Sequence, residues 1–591
     1  MNLKSATVLQ QEKERTFVPK EFKVTTWSKL KPYYNELLNR SIQSLDDLEQ
    51  WIKDKSELDA VVSEAFSWRY IKITVNSNDE KAEALYQYAV QELAPKITSF
   101  EHELNKKLVG NPFSEQLDTK RFGIHLRSIY NAVNLFREEN IPLATDIQMK
   151  SKEYVKIFSE MTIGVDGKQM TLQKASSLLE ETDRTYREAV YHKIHQRILQ
   201  DTSQLEELFD HLLHMRHKMA LNSGFDNFRD FKFQALGRFD YSVEDCYDFH
   251  ESIKSEIVPL IDDLNCYRKQ TLNLDKLRPW DLFVDPIGDT PLRPFETIDD
   301  LVEKVIFCMN RLHPEFGKTI ETMRNMGHLD LEARPAKRPG GYNMPLHLTG
   351  LPFIFMNATT SLSDMRTLMH EGGHAVHSYL TRHYKLKSAK RVPSEVAELA
   401  AMSMELLTME HWGVFFPNEE ELQRAKIAQL EYVLKVLPWI ATIDKFQHWI
   451  YTNPGHSREE RIKNWMSIMQ EFNSSLIDHT GLEEYSAHLW HKQLHIFEVP
   501  FYYIEYGMAQ LGAIALWKHY RENPGQAVDN YLNALKLGYT RNIREIYRTA
   551  GIEFNFSREY VSQLGAFVKE ELEALLWDNK IAPGERAPQN G

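Results

Sequence analysis

His370, Glu371 and His374 stand in the order His-Glu-Gly-Gly-His, an H-E-x-x-H, inside the stretch 363–384. Residues four apart on a helix share a face, so both imidazoles could reach one metal ion. Glu371, about 100° round the same helix, could address a water on that metal. A third protein ligand would leave one coordination position open, as catalytic zinc needs. The chemistry such a set can do is attack by a metal-activated water.

Positioning these groups requires a helix, and the local signals predict one. Ser361-x-x-Asp364 reads as a capping box with acid in the first turn. Leu368, Val376 and Leu380 supply apolar contacts. Gly372 and Gly373 each cost a helix about 1 kcal/mol against alanine. That cost makes sense where another backbone or a substrate must come close.

The third ligand is expected from the next helical stretch, 392–405, which carries Glu395, Glu398 and Glu405. Glu398 and Glu405 lie two turns apart on one face, and Glu395 lies three residues before Glu398. Acids on a helix otherwise lined by Val396, Leu399, Ala400 and Met404 are costly if buried unpaired. A metal and its histidines would compensate them. One acid would coordinate, and another could hydrogen-bond the outer nitrogen of a liganding histidine. Spacing alone leaves open which does which.

Two further stretches could serve the same centre. In 490–506, Pro500 reads as the first residue of a helix. Tyr502 and Tyr506 would share its face, with Tyr503 also beside Tyr506. These phenols and the His495 imidazole could donate to a developing oxyanion, although spacing alone fits a core helix better. In 351–357 the composition predicts a strand. Pro352 suggests a sheet edge, which could pair with an extended substrate; a core strand is the equal alternative.

Composition bounds the class. The chain has 591 residues, 42% apolar and 26% charged, as in ordinary globular proteins. A formal net charge of −13 argues against a nucleic-acid surface. Three cysteines without a C-x-x-C fit a reducing compartment and disfavour a disulfide framework or a thiolate zinc site. No signal-like h-region and no membrane-length apolar run occurs, so the expectation is a cytoplasmic protein with no membrane partner.

Along the chain, residues 1–25 read as polar and extended. Helical runs are expected after Ser44 and at 80–107, 125–137, 145–160 and 171–199, with a turn between two extended pieces at 161–171. Ser203-x-x-Glu206 reads as a capping box, and Asn222-Ser-Gly224 as the helix end. His211, His214 and His217 read as exposed or packed rather than metal-binding, since no acid follows in register.

Taken together, Arg338–Asn343, Asn357, His370–His374 with His377, Glu398–Glu405 and His495–Tyr506 resemble the oligoendopeptidase F and thimet oligopeptidase family of zinc metallopeptidases. The likeness runs over much of 200–575. It implies a mainly α, two-lobed zincin-like oligopeptidase with a deep central channel and a small β-sheet near the active-site helix. It implies an N-terminal helical domain (1–195) forming part of the channel wall, a catalytic domain (196–580) and a flexible tail (581–591). One Zn2+ per chain would be held by His370, His374 and Glu398. The family's E-x6-E pattern fits Glu398 and Glu405 and not Glu395, since Met402 stands seven residues after Glu395. Glu371 would be the general base, with Tyr506 and His495 supporting the oxyanion. Tyr503, Tyr502, Gly341, Tyr342 and Asn357 would contact substrate. Partners would be short peptides, with no nucleic acid, and the chain a monomer or small homo-oligomer. The alternatives are a zinc carboxypeptidase or dipeptidyl carboxypeptidase, and a non-catalytic helical peptide-binding protein.

Overall fold

The computed structural model describes residues 15–578 except 289. The first fourteen residues and the expected tail 581–591 lie outside it.

The described chain is mainly helical. Ser44 accepts a hydrogen bond from the Asp47 amide and opens the long helix Leu45–Val75 as expected. With Trp27–Asn39, Ala94–Val109 and Thr119–Leu135 it encloses an apolar cluster that includes Leu30, Leu37, Trp51, Leu104 and Phe122. Thr162–Val165 and Lys168–Thr171 form the expected hairpin. Its turn puts Asp166 and Gly167 at positive φ, which matches the twist of the strands. From Tyr154 onward most of the buried apolar residues belong to a second, larger cluster that runs to Leu572.

The expected capping box at Ser203 does not form. The helix starts earlier, at Thr202, so Ser203 is already inside it. Glu206 is buried and accepts hydrogen bonds from Arg461 and His491 instead. Long-range charge partners take the carboxylate that local spacing assigned to a cap. Gly224, at φ 85°, does close the chain after Asn222. His211 and His214 are exposed, and among the described residues neither joins a metal-ligand cluster.

A three-stranded sheet comes next. Phe353–Ala358 is its central strand, parallel to Leu329–Glu332 and antiparallel to Tyr342–Met344. Of the two places open to the strand after Pro352 it takes the central one, and the edges belong to Leu329–Glu332 and Tyr342–Met344. Pro352 lies just outside the ladder, where its missing N–H costs nothing. Trp68, Ile71 and Val75 of the long N-terminal helix pack onto this sheet beside Tyr342, Met344, Phe353 and Phe355.

Four helices carry the rest. The motif helix (Leu362–Thr381) packs on the acid helix (Ser394–Leu407). The acid helix packs in turn on the tyrosine helix (Tyr503–Glu522). A 34-residue helix, Glu419–Thr452, runs along the tyrosine helix. Among the described residues no helix is long and apolar enough to cross a membrane.

Candidate active site

The motif helix begins as its sequence predicts. Ser361 accepts from the Asp364 amide, and Asp364 accepts from the Ser361 amide. Gly373 explains the paired glycines. A Cβ there would lie 2.4 Å from the Ala400 carbonyl oxygen and 2.6 Å from the Ala401 Cα. Only a residue without a side chain lets the acid-helix backbone come this close. That approach carries Glu398 between the histidines. Its Oε2 lies 3.2 Å from His370 Nε2 and 3.7 Å from His374 Nε2.

The surroundings fix the orientation of each group. His370 donates from Nδ1 to Glu405 Oε1 at 2.8 Å, which turns Nε2 toward Glu398. Glu405 also accepts from Gln429. Tyr502 donates to Glu398 Oε1 at 2.6 Å. Glu398 Oε2 and Glu371 Oε2 are buried without a hydrogen-bond partner. Two imidazole nitrogens and a carboxylate oxygen, converging on an unsatisfied buried position, fit a borderline divalent cation such as zinc. Glu395 does not take part: it is buried and accepts from Tyr241 at 2.6 Å.

The charges bear out the fit. Burial opposes ionisation of Glu398, yet His374, His370 and Tyr502 hold its carboxyl down at about 2. Burial would lower His370, but the Glu398 and Glu405 carboxylates outweigh it and raise the imidazole well above its ordinary range. His374 is pushed down to about 4, mainly by burial. Burial, helped by Glu398 and Glu405, lifts Glu371 to about 7.

His495 and Tyr506 lie within electrostatic reach of Glu398. Tyr506 Oη lies 3.5 Å from His495 Nε2. Burial, then the charge of Glu398, raises the Tyr506 phenol well above its ordinary range, so it remains a donor. The His495 tautomer follows from a relay. The Trp439 indole can only donate, and it donates to Gln493 Oε1 at 2.9 Å. The Gln493 amide nitrogen must then donate to His495 Nδ1, at 2.7 Å. A neutral His495 therefore carries its proton on Nε2, toward Tyr506. Burial lowers its pKa to about 4 and keeps it neutral.

Residues 177–566 match the sequence model of peptidase family M3, and residues 17–136 match the peptidase M3 N-terminal domain. The chain belongs to peptidase family M3. This M3 chain is 21% identical to an oligoendopeptidase F homolog of Borreliella burgdorferi, over 88% of its own length and 87% of the relative. It is 23% identical to oligopeptidase PepF of Bacillus subtilis, where the alignment spans 56% of this chain and 49% of that protein. A solved structure of PZ peptidase A with an inhibitor superposes with a TM-score of 0.88 at 26% identity, covering 93% of this chain and 97% of that one. The mainly helical fold is thus the M3 oligopeptidase fold, and the protein is a metallopeptidase that acts on peptides.

Within this M3 peptidase the remaining expected residues fall in several places. Pro500 does not open the tyrosine helix, which begins at Tyr503. The chain first makes a turn with Phe501 at φ 68°, held by Gln447 on its N–H and Arg238 on its carbonyl. Tyr502, expected at the substrate, is spent on Glu398. Tyr503 packs at a tilt against His495 and edge-on against Tyr506. Tyr342 is engaged with Thr74 at 2.5 Å and stacks on Phe355. Asn357 donates to the Arg338 and Gly340 carbonyls, so it pins the turn that presents Gly341. Three groups escaped sequence reasoning. Asn343 ties the edge strand to the Glu371 carbonyl at 3.1 Å, and Trp439 and Gln493 orient His495. The alternating outward position of Asn343 on a short strand was the one available signal.

Proposed function

We propose that this chain is a zinc-dependent oligoendopeptidase that hydrolyses internal bonds of short, unstructured peptides. The observation that carries the reading is the meeting of His370 Nε2, His374 Nε2 and Glu398 Oε2, with Glu371 on the same helix and the Tyr506–His495 pair within electrostatic reach of Glu398. When bound, the ion supplies Lewis acidity toward a water and the scissile carbonyl.

The chain's own residues do the rest. Glu371 accepts the proton of the attacking water and returns it to the leaving amine; a carboxyl raised to about 7 by burial suits both transfers. Tyr506 and the Nε2–H of His495 donate to the carbonyl oxygen as negative charge grows on it. Glu405 and Tyr502 hold His370 and Glu398 in place. The Tyr342–Met344 edge offers backbone groups to an extended peptide, and Asn343 sets its distance from the motif helix. The N-terminal helices, through about residue 195, wall one side of a channel between two lobes. The packing of Ile71 and Trp68 on the sheet supports that placement. The working compartment is the cytoplasm, and the chain acts as a monomer or small homo-oligomer.

Peptides blocked at both ends separate this reading from a carboxypeptidase. Incubated with the zinc-loaded protein and followed by mass spectrometry, they are expected to be cut internally, and a chelator to stop the cutting. Cleavage confined to peptides with a free C-terminus, or undiminished by the chelator, would overturn it.

A further inference from the structure

A second histidine–carboxylate cluster lies away from the motif helix. Cys246 and His250 stand four apart on the helix Val243–Ser252. Asp444 and His448 stand four apart on the long helix 419–452. The two helices pack together, so each presents an i, i+4 pair to the other. Relative exposures are 0% for Cys246, 1% for His250, 0% for Asp444 and 3% for His448.

Protein groups satisfy the polar atoms only in part: His250 Nε2 hydrogen-bonds Asp444 Oδ2, and the Cys246 thiol donates to the Ser242 carbonyl. Asp444 Oδ2 lies 2.9 Å from His250 Nε2 and 3.2 Å from His448 Nε2. The second contact lacks hydrogen-bond alignment, and His448 Nε2, His448 Nδ1 and Asp444 Oδ1 have no hydrogen-bond partner. Buried polar groups without partners are costly. One ligand atom each from Cys246, Asp444 and His448 lies within 4.8 Å of the others. The active site shares part of this pattern: there Glu398 Oε2 is both close to the imidazole nitrogens and without a partner, whereas here His250 occupies Asp444 Oδ2 and Oδ1 is the oxygen left over.

We propose that Cys246, Asp444 and His448 form a second metal site that takes zinc as a structural ion, with His250 holding Asp444 from outside. One sulfur, one imidazole nitrogen and one carboxylate oxygen are donors of the type zinc favours; magnesium and calcium would prefer oxygen donors. Binding displaces the Cys246 thiol proton to solvent, and the thiolate takes the metal. The ion would brace helix 243–252 against helix 419–452. His448 packs edge-on against Phe501, and its neighbour Gln447 holds the Phe501 N–H. The brace therefore stands directly behind the turn that leads into the tyrosine helix.

Sulfur distinguishes the two sites, because the active-site set contains none. The full chain is produced in cobalt-supplemented and, separately, zinc-supplemented medium, and its metal content and absorption spectrum are measured. The expected result is two ions per chain and a thiolate-to-cobalt charge-transfer band. The band should persist in a His370→Ala/His374→Ala variant and in Cys266→Ser and Cys308→Ser, and vanish in Cys246→Ser. One ion per chain with no such band in the wild-type protein would overturn the proposal, as would a band that survives Cys246→Ser. If Cys246→Ser fails to fold, the wild-type spectrum and the two-histidine variant still decide.

Discussion

Two clusters of histidine and carboxylate sit along one helix, Glu419–Thr452, and only one of them is built for turnover. That helix sends Gln429 to Glu405 and Trp439 to Gln493 at the open cluster, and supplies Asp444 and His448 to the sealed one. The side chains of His370 and His374 are each 17% exposed, whereas those of His250, His448 and Asp444 are 2%, 3% and 0% exposed. The open cluster has a free carboxylate, Glu371, and two aimed donors, Tyr506 and His495. Aromatic rings close over the sealed one: Tyr247, Phe233 and Phe501 all pack on His448. The ligand types are similar. Access and the neighbouring acid–base groups separate a reaction centre from a brace.

The sharpest way to break this contrast is Glu371→Gln. Turnover should fall by about 10²–10⁴-fold while the metal content of both clusters stays unchanged. Substantial remaining activity in a kinetic assay would remove the base from the account. Tyr506→Phe should lower kcat by about 10²-fold or more with a smaller change in KM, since its donor matters when charge develops. An equal rise in KM with unchanged kcat would make it a binding group only.

Outer partners sharpen the comparison further. Glu405→Ala should weaken metal affinity at the open cluster by about 10–100-fold and leave the thiolate band of the sealed cluster intact. Glu395→Ala should leave the open cluster's metal in place, because Glu395 is bonded to Tyr241. Competition with a chelator measures both, and the reverse pattern would move the ligand to Glu395. The smallest expected effect is on folding. Gly373→Ala should cost about 1–3 kcal/mol in a denaturation curve, since the new methyl meets backbone and the two helices must part.

Much of the open site was legible in the sequence because it is local. The H-E-x-x-H, its Ser361–Asp364 cap and the register of Glu398 with Glu405 lie within single helices. The glycine pair signalled a close approach, and the approaching group proved to be the acid-helix backbone. The roles of His495 and Tyr506 came from family likeness, since a tyrosine-rich helix alone reads as core. What stayed hidden depends on distant partners. One sequence does not show which strand neighbours which, so Phe353–Ala358 was open to either an edge or a central place. Nothing in residue type requires Phe501 to take a positive φ; Gln447 and Arg238 impose it and displace the helix start from Pro500 to Tyr503. Glu206 carried the spacing of a cap and found Arg461 instead. The Trp439–Gln493–His495 relay joins side chains that sequence spacing does not link.

Anomalous diffraction at the zinc edge, from crystals of the zinc-loaded Glu371→Gln protein, tests the central claim most directly. The account predicts a peak between His370 Nε2, His374 Nε2 and Glu398 Oε2. A fully loaded protein with no peak there, or with zinc held through Glu395, would contradict it.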